Sequence, residues 1–152
     1  MKIRRAQAGE AQALTALAFA SKAHWGYAAE TLKLWTGQLG VTAADVAAKQ
    51  VRVCMLDGRI AGFYALARSG DAWELDQLWV APAFMRRGVG RALVAHALGA
   101  ALRDGADSVA VDADPNAEAF YLACGAVRCG EVPAPIPGEP ARVRPQLKFP
   151  GR

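Results

Sequence analysis

Residues 51–103 most constrain the fold. VRVCMLD, the turn pair Asp57-Gly58 and RIAGFYALARS read as two strands of a hairpin, and WELDQLWVA as a third strand in the run. Pro82 ends that strand, a Gly88-x-Gly90 loop follows, and Val89, Leu93, Ala97 and Ala101 form the buried stripe of a helix ending near Arg103 and Asp104. Antiparallel strands ahead of the glycine loop exclude a doubly wound dinucleotide fold, where such a loop belongs to the first strand–helix unit.

Upstream, residues 2–6 read as an edge strand, and Leu14, Leu17 and Ala18 recur at helical spacing through about residue 22. A second helix is predicted from Ala28 to Leu39, with Leu32, Trp35 and Leu39 on one face and Gly40 at its C-terminal end. VTAADVAAKQ reads as a further helical turn. Downstream come the strand SVAVDAD, a short helix after Pro115 stopped by Gly125, and a strand from about Ala126 to Glu131. Six of the eight prolines fall between Pro133 and Pro150, which predicts a stiffened loop leading to a last edge strand near Arg142–Phe149. The expectation is an α+β fold: a mixed, mostly antiparallel sheet of six to seven strands with helices on both faces.

At 152 residues and 53% hydrophobic composition, residues 1–152 fit a single domain with one core. A net charge of +4 suits anionic ligands but is too scattered for a dedicated nucleic-acid binder, and the arginine cluster lacks interleaved exposed aromatics. No apolar run approaches the ~20 residues of a membrane span. Cys54, Cys124 and Cys129 give neither a disulfide framework nor a zinc pattern, so the chain reads as a cytoplasmic protein with no metal.

A strand end, a glycine turn and a helix N-terminus together gather backbone N–H groups and the positive end of a helix dipole, an anion site. Gly88 and Gly90 matter there because a side chain would hold a pyrophosphate off the backbone or forbid a positive φ. The same residues also fit an ordinary glycine turn. A P-loop is excluded because no Lys-Ser or Lys-Thr follows.

The stretch LDQLWVAPAFMRRGVGRALV, followed by DADPNAEAFYLACGA, resembles the acyl-CoA-binding core of the GNAT acetyltransferase superfamily. The first segment resembles its Gln/Arg-x-x-Gly-x-Gly/Ala pyrophosphate motif, the second its Asn-x-x-Ala-x-x-Phe-Tyr-x-x-x-Gly signature in slightly shortened form. One departure is Met85, where the pattern prefers Gln or Arg; Arg86 and Arg87 stand beside it to take over that charge. SKAHWGY, with DPNAEAFY and IPG, is similar to a sequence recurring in one bacterial subgroup. The resemblance implies acetyl-CoA as acyl donor. Its pantetheine arm would lie along the backbone of Leu78, Trp79 and Val80 between the fourth and fifth strands, with the pyrophosphate on the N–H groups of Arg86, Arg87, Gly88, Val89, Gly90 and Arg91.

Acyl transfer to an amine needs a base, because an alkylammonium of pKa ~10 has no lone pair at neutral pH. The resemblance implies Glu74, on the fourth strand, for that role. Strand alternation puts Asp76 on the same face as a second candidate, and both also fit solvated strand carboxylates. Tyr121 is implied as the proton donor to the departing thiolate and Asn116 as a pantetheine contact, with Phe120 and Leu122 as core residues. Asn116 equally fits a helix cap. His24, Trp25 and Tyr27 join the first two helices, which by resemblance wall the acceptor site; His24 also fits a structural role. The expected activity is N-acetyl transfer to a primary amine of a small molecule or an exposed protein amino group. The alternative is an acyl-CoA-binding sensor or partner module without turnover. An exposed edge from the last strands allows a homodimer.

Overall fold

The computed structural model describes residues 1–151. Seven strands form one sheet: β1 (Lys2–Arg5), β2 (Gln50–Leu56), β3 (Arg59–Ser69), β4 (Ala72–Val80), β5 (Ser108–Asp112), β6 (Val127–Pro133) and β7 (Val143–Pro150), in the order β1-β2-β3-β4-β5-β7-β6. Every neighbouring pair is antiparallel except β4 with β5. The β2–β3 hairpin turns on Asp57 (φ 53°) and Gly58 (φ 73°), two left-handed residues in succession, the backbone an Asp-Gly pair favours.

The helices are α1 (Ala11–Ala23), α2 (Ala29–Lys33), α3 (Ala43–Ala48), α4 (Val89–Arg103) and α5 (Glu118–Ala123). Alternation along β3 splits the core between two faces. Phe63 and Ala65 pack with Leu14 and Ala18 of α1, whereas Tyr64 and Leu66 pack with Leu93, Ala97 and Ala101 of α4. Helices therefore cover both faces of the sheet.

Three sequence expectations change. The second helix stops at Lys33 instead of Leu39, because the N–H groups of Leu34, Trp35 and Thr36 tighten onto carbonyls three residues back and Gly37 turns left-handed at φ 87°. The loop beyond is held by Gln77 of β4, which accepts from the Gly40 N–H at 2.9 Å and donates to the Gln38 carbonyl at 3.1 Å. The last strand, β7, is not at the edge: it runs between β5 and β6 with Pro145, Leu147 and Phe149 buried, and the exposed β6 forms the edge. Leu122 is 43% exposed, so it does not belong to the core; Tyr121 does.

A β-bulge shapes β4. Ala65 pairs with Gln77 and Leu66 with Leu75, which leaves Asp76 without an opposite residue on β3. The burial parity then switches: Trp73 and Leu75 pack into the α4-side core ahead of it, Leu78 and Val80 after it. Trp79 faces the α1 side.

Candidate active site

The parallel pairing of β4 with β5 has one register pair, Glu74 with Ala110. Beyond it β5 continues on β7 alone, the Ala113 N–H donating to the Pro145 carbonyl at 3.1 Å. The C-terminal half of β4, Leu78, Trp79 and Val80, keeps its pairing to Tyr64, Phe63 and Gly62 of β3 but has no sheet partner on the β5 side. An open strand edge there offers unpaired backbone groups to an extended ligand.

At the end of β4 the chain makes a single 3-10 turn, Pro82–Phe84, and reaches the glycine loop. Arg86 (φ 63°) and Gly88 (φ 82°) are both left-handed. Gly88 is the N-cap of α4, so the N–H groups of Val89, Gly90 and Arg91 have no intrahelical acceptor. Among the described residues those of Arg86, Arg87 and Gly88 have no protein acceptor either. Gly90 serves a different need from Gly88: its φ is ordinary, but a Cβ there would stand 3.0 Å from Cζ of Phe120. It lets α4 close onto α5. The loop thus fits a diphosphate, with donors, helix dipole and no intruding side chain.

The arginines divide. Arg87 is committed to the hairpin turn, 3.2 Å from Asp57 with its guanidinium over Phe84. Arg86 and Arg91 are exposed and have no acidic partner among the described residues. Met85 is half-buried.

Glu74 and Asp76 meet different surroundings. Asp76 is ion-paired with Lys49 at 2.7 Å, and Lys49 reaches Asp45 at 3.5 Å. Glu74 has no ion-pair partner among the described residues; partial desolvation, then the Asp76 and Asp112 carboxylates, raise its pKa above the usual range against the opposing charge of Lys49. Tyr121 is 6% exposed, its ring edge-on to Phe120 at 5.2 Å and to Phe149 at 6.2 Å. Burial, then Cys124 and Asp114, push its hydroxyl well above the ordinary tyrosine value, so it stays protonated. That hydroxyl has no hydrogen-bond partner among the described residues.

The structure also assembles a buried cluster that sequence reasoning missed. Lys22 of α1, 6% exposed, pairs with Asp114 just past β5, and Asp114 also accepts from the Tyr27 hydroxyl at 2.9 Å and the Asn116 N–H at 2.8 Å. Asp114, not Asn116, is therefore the cap of the Pro115–Ala117 turn. Asn116 instead donates its side-chain amide to the Tyr27 hydroxyl at 3.1 Å. Arg142 completes the cluster, donating to the same hydroxyl at 3.1 Å and lying 3.5 Å from Asp114. The Lys22 ammonium sits 4.2 Å from the Trp35 ring centroid and 5.9 Å from that of Trp79, so the cluster reaches from α1 to β4. Burial would raise Asp114, but the Lys22 hydrogen bond and charge hold it below the usual carboxylate range. A signal was present: Leu14, Ala18 and Lys22 are spaced by four, which places the lysine on the buried stripe of α1.

A cavity of about 330 Å³ opens against this cluster, lined by Trp25, Tyr27, Asn116, Glu139 and Arg142 among others. Trp25 and Tyr27 both line this cavity. His24 is exposed, edge-on to Trp25 at 6.1 Å, and does not line the cavity.

A family model described as the acetyltransferase (GNAT) family matches residues 15–126. Solved structures similar to this chain include a GCN5-related N-acetyltransferase from Rhodopseudomonas palustris (24% identity, TM-score 0.78, 98% of this chain and 94% of that one). Another is the PaiA N-acetyltransferase of Thermoplasma acidophilum in complex with coenzyme A (16% identity, TM-score 0.77, 98% of each chain). A third is the ribosomal-protein-S18-alanine N-acetyltransferase of Escherichia coli (17% identity, TM-score 0.73, 98% of this chain and 92% of that one). No curated protein matches in sequence.

Proposed function

Because the chain belongs to the acetyltransferase (GNAT) family, we propose that it transfers the acetyl group of acetyl-CoA to a primary amine, with the β4–β5 opening as the donor site. One observation carries this reading: the open edge of β4 runs directly into a glycine loop and helix N-terminus whose N–H groups have no acceptor among the described residues. Bound there, acetyl-CoA supplies an activated thioester. Leu78, Trp79 and Val80 offer backbone groups to the pantetheine, and the N–H groups of Arg86, Arg87, Gly88, Val89, Gly90 and Arg91 face the pyrophosphate. The exposed side chains of Arg86 and Arg91 replace the charge absent at Met85.

Glu74 is the base in this scheme. Its carboxylate stands at the point where β4 and β5 part, and its raised pKa makes it a better proton acceptor than an ordinary glutamate. Asp76 serves less well, since Lys49 occupies it. Tyr121 holds a proton on a hydroxyl with no partner among the described residues, where it can be given to the departing sulfur. Trp25 and Tyr27 line the acceptor cavity. Cys54, Cys124 and Cys129 are all free thiols, which accords with a reducing cytoplasm.

Thermal melting with acetyl-CoA and with CoA, followed by thiol release across a panel of amines, tests the proposal. Stabilisation by acetyl-CoA together with amine-dependent thiol release is the expected result. Absence of stabilisation overturns the donor site. Stabilisation with no release from any amine favours a binding module over an enzyme.

A further inference from the structure

The cavity beside Asn116 ends on a charge that the protein does not balance. Lys22 and Arg142 both surround the one carboxylate of Asp114, and all three side chains are at most 7% exposed. Arg144 brings no relief or further excess, because Asp112 matches it with contacts of 2.7 and 3.1 Å. Two cations on one buried carboxylate leave a positive charge away from water, a costly arrangement unless an anion completes it.

Arg142 is the cation that reaches the cavity wall. Its guanidinium carries five N–H donors, of which the Ala134 carbonyl takes one at 3.0 Å and the Tyr27 hydroxyl and Asp114 take the two of the other terminal nitrogen at 3.1 and 3.5 Å. The remaining donors have no acceptor among the described residues. Tyr27 and Trp35 hold the plane of the group, their ring centroids 5.5 and 5.6 Å from its carbon. A guanidinium held in place with N–H donors to spare fits an anionic group such as a carboxylate through charge-assisted hydrogen bonds. At the mouth of the same cavity lies Glu139, exposed and without a basic partner among the described residues, a favourable neighbour for an ammonium group.

We propose that the acceptor is a free amino acid or a similar small aminocarboxylic acid, its carboxylate docked on Arg142 at the cavity floor. Glu139 at the mouth draws in the ammonium end. The cavity volume of about 330 Å³ suits a molecule of that size. This assignment rests on reading the cavity as the acceptor pocket, and it goes beyond the amine class to name the second group recognised.

The test compares L-amino acids with their carboxamides, which keep the amine and remove the negative charge. Binding to the wild-type protein with CoA present is read by ligand-observed NMR, and thiol release from acetyl-CoA is measured with the same pairs. For at least one pair the acid is expected to bind, and to react, at least about tenfold better than its amide, the scale of a hydrogen bond to a charged group. Arg142→Gln should erase the difference and Arg142→Lys retain part of it. Since the comparison of acid with amide uses the unmodified protein, a poorly folded variant does not blur the outcome. Amides that bind and react as well as the acids throughout overturn the proposal while leaving the acetyltransferase reading intact. Selective binding of the acids with no use of acetyl-CoA does the reverse.

Discussion

Glu74 of β4 lies opposite Ala110 of β5 in the one parallel pair that joins the two halves of the sheet, and the strands separate immediately after it. A glutamate at that fork is partly desolvated and faces two further carboxylates, Asp76 and Asp112, so its proton is held more tightly than usual. A base must be ionised to act. The kcat/KM profile should therefore lose activity as pH falls through a value above the ordinary glutamate range, and Glu74→Gln should remove that limb while lowering kcat by roughly 10²–10⁴. Linkage gives a second readout. A raised folded pKa means ionised Glu74 disfavours the folded state at neutral pH, so Glu74→Gln should melt higher than the parent there. An unchanged acid limb in Glu74→Gln would assign the base elsewhere, and Asp76→Asn is the control.

Tyr121→Phe isolates chemistry from packing. The ring is wedged between Phe120 and Phe149, and phenylalanine keeps both contacts. Since the hydroxyl has no protein partner among the described residues, deleting it orphans no buried group, and the melting temperature should move by no more than a few degrees. Turnover should fall by about 10²-fold or more if the hydroxyl is the proton donor. Full activity with a normal melt would return Tyr121 to the core.

The architecture was legible where local chemistry agrees with tertiary need. Asp57-Gly58 has the backbone preferences of its turn, the stripe Val89, Leu93, Ala97 and Ala101 is buried along its length, and the order of strands and helices followed from these signals. The α2 boundary was misread because Leu32, Trp35 and Leu39 repeat at helical spacing while Gly37 and Gln77 impose a loop. The place of β7 was hidden for a topological reason: a strand inserted between two earlier ones leaves no local mark, and its prolines pointed to an edge. Near the site, the end of β4 and the glycine loop ahead of α4 were legible in the sequence, whereas the cluster around Asp114 and Arg142 was not. The cluster depends on a lysine 92 positions upstream of Asp114, a relation no motif encodes.

The two loop glycines should fail differently. Alanine at Gly88 has room, but φ 82° there costs a non-glycine residue roughly 1–2 kcal/mol and moves the N–H groups of the turn. Alanine at Gly90 keeps its backbone but meets Phe120 at 3.0 Å, prying α4 from α5. Both should raise the KM for acetyl-CoA more than they lower kcat. Only the Gly90→Ala defect should be relieved by Phe120→Leu. Rescue of both, or of neither, would contradict the separate roles.

The buried cluster makes a prediction about sign of charge. Removing Lys22 as Lys22→Met leaves Asp114 with Arg142, Tyr27 and the Asn116 N–H, so the carboxylate remains partnered. Removing the charge of Asp114 as Asp114→Asn leaves Lys22 and Arg142 facing each other with no anion between them. Breaking a buried pair costs about 3–5 kcal/mol, and the upper end of that range should belong to Asp114→Asn because two uncompensated cations remain. Chemical denaturation at neutral pH should therefore place Asp114→Asn well below both the parent and Lys22→Met. Adding Lys22→Met to Asp114→Asn should recover part of the loss, since one of the repelling charges is gone. A double variant no more stable than Asp114→Asn would mean that the cluster is held by packing around Trp35 and Tyr27, and not by its charge balance.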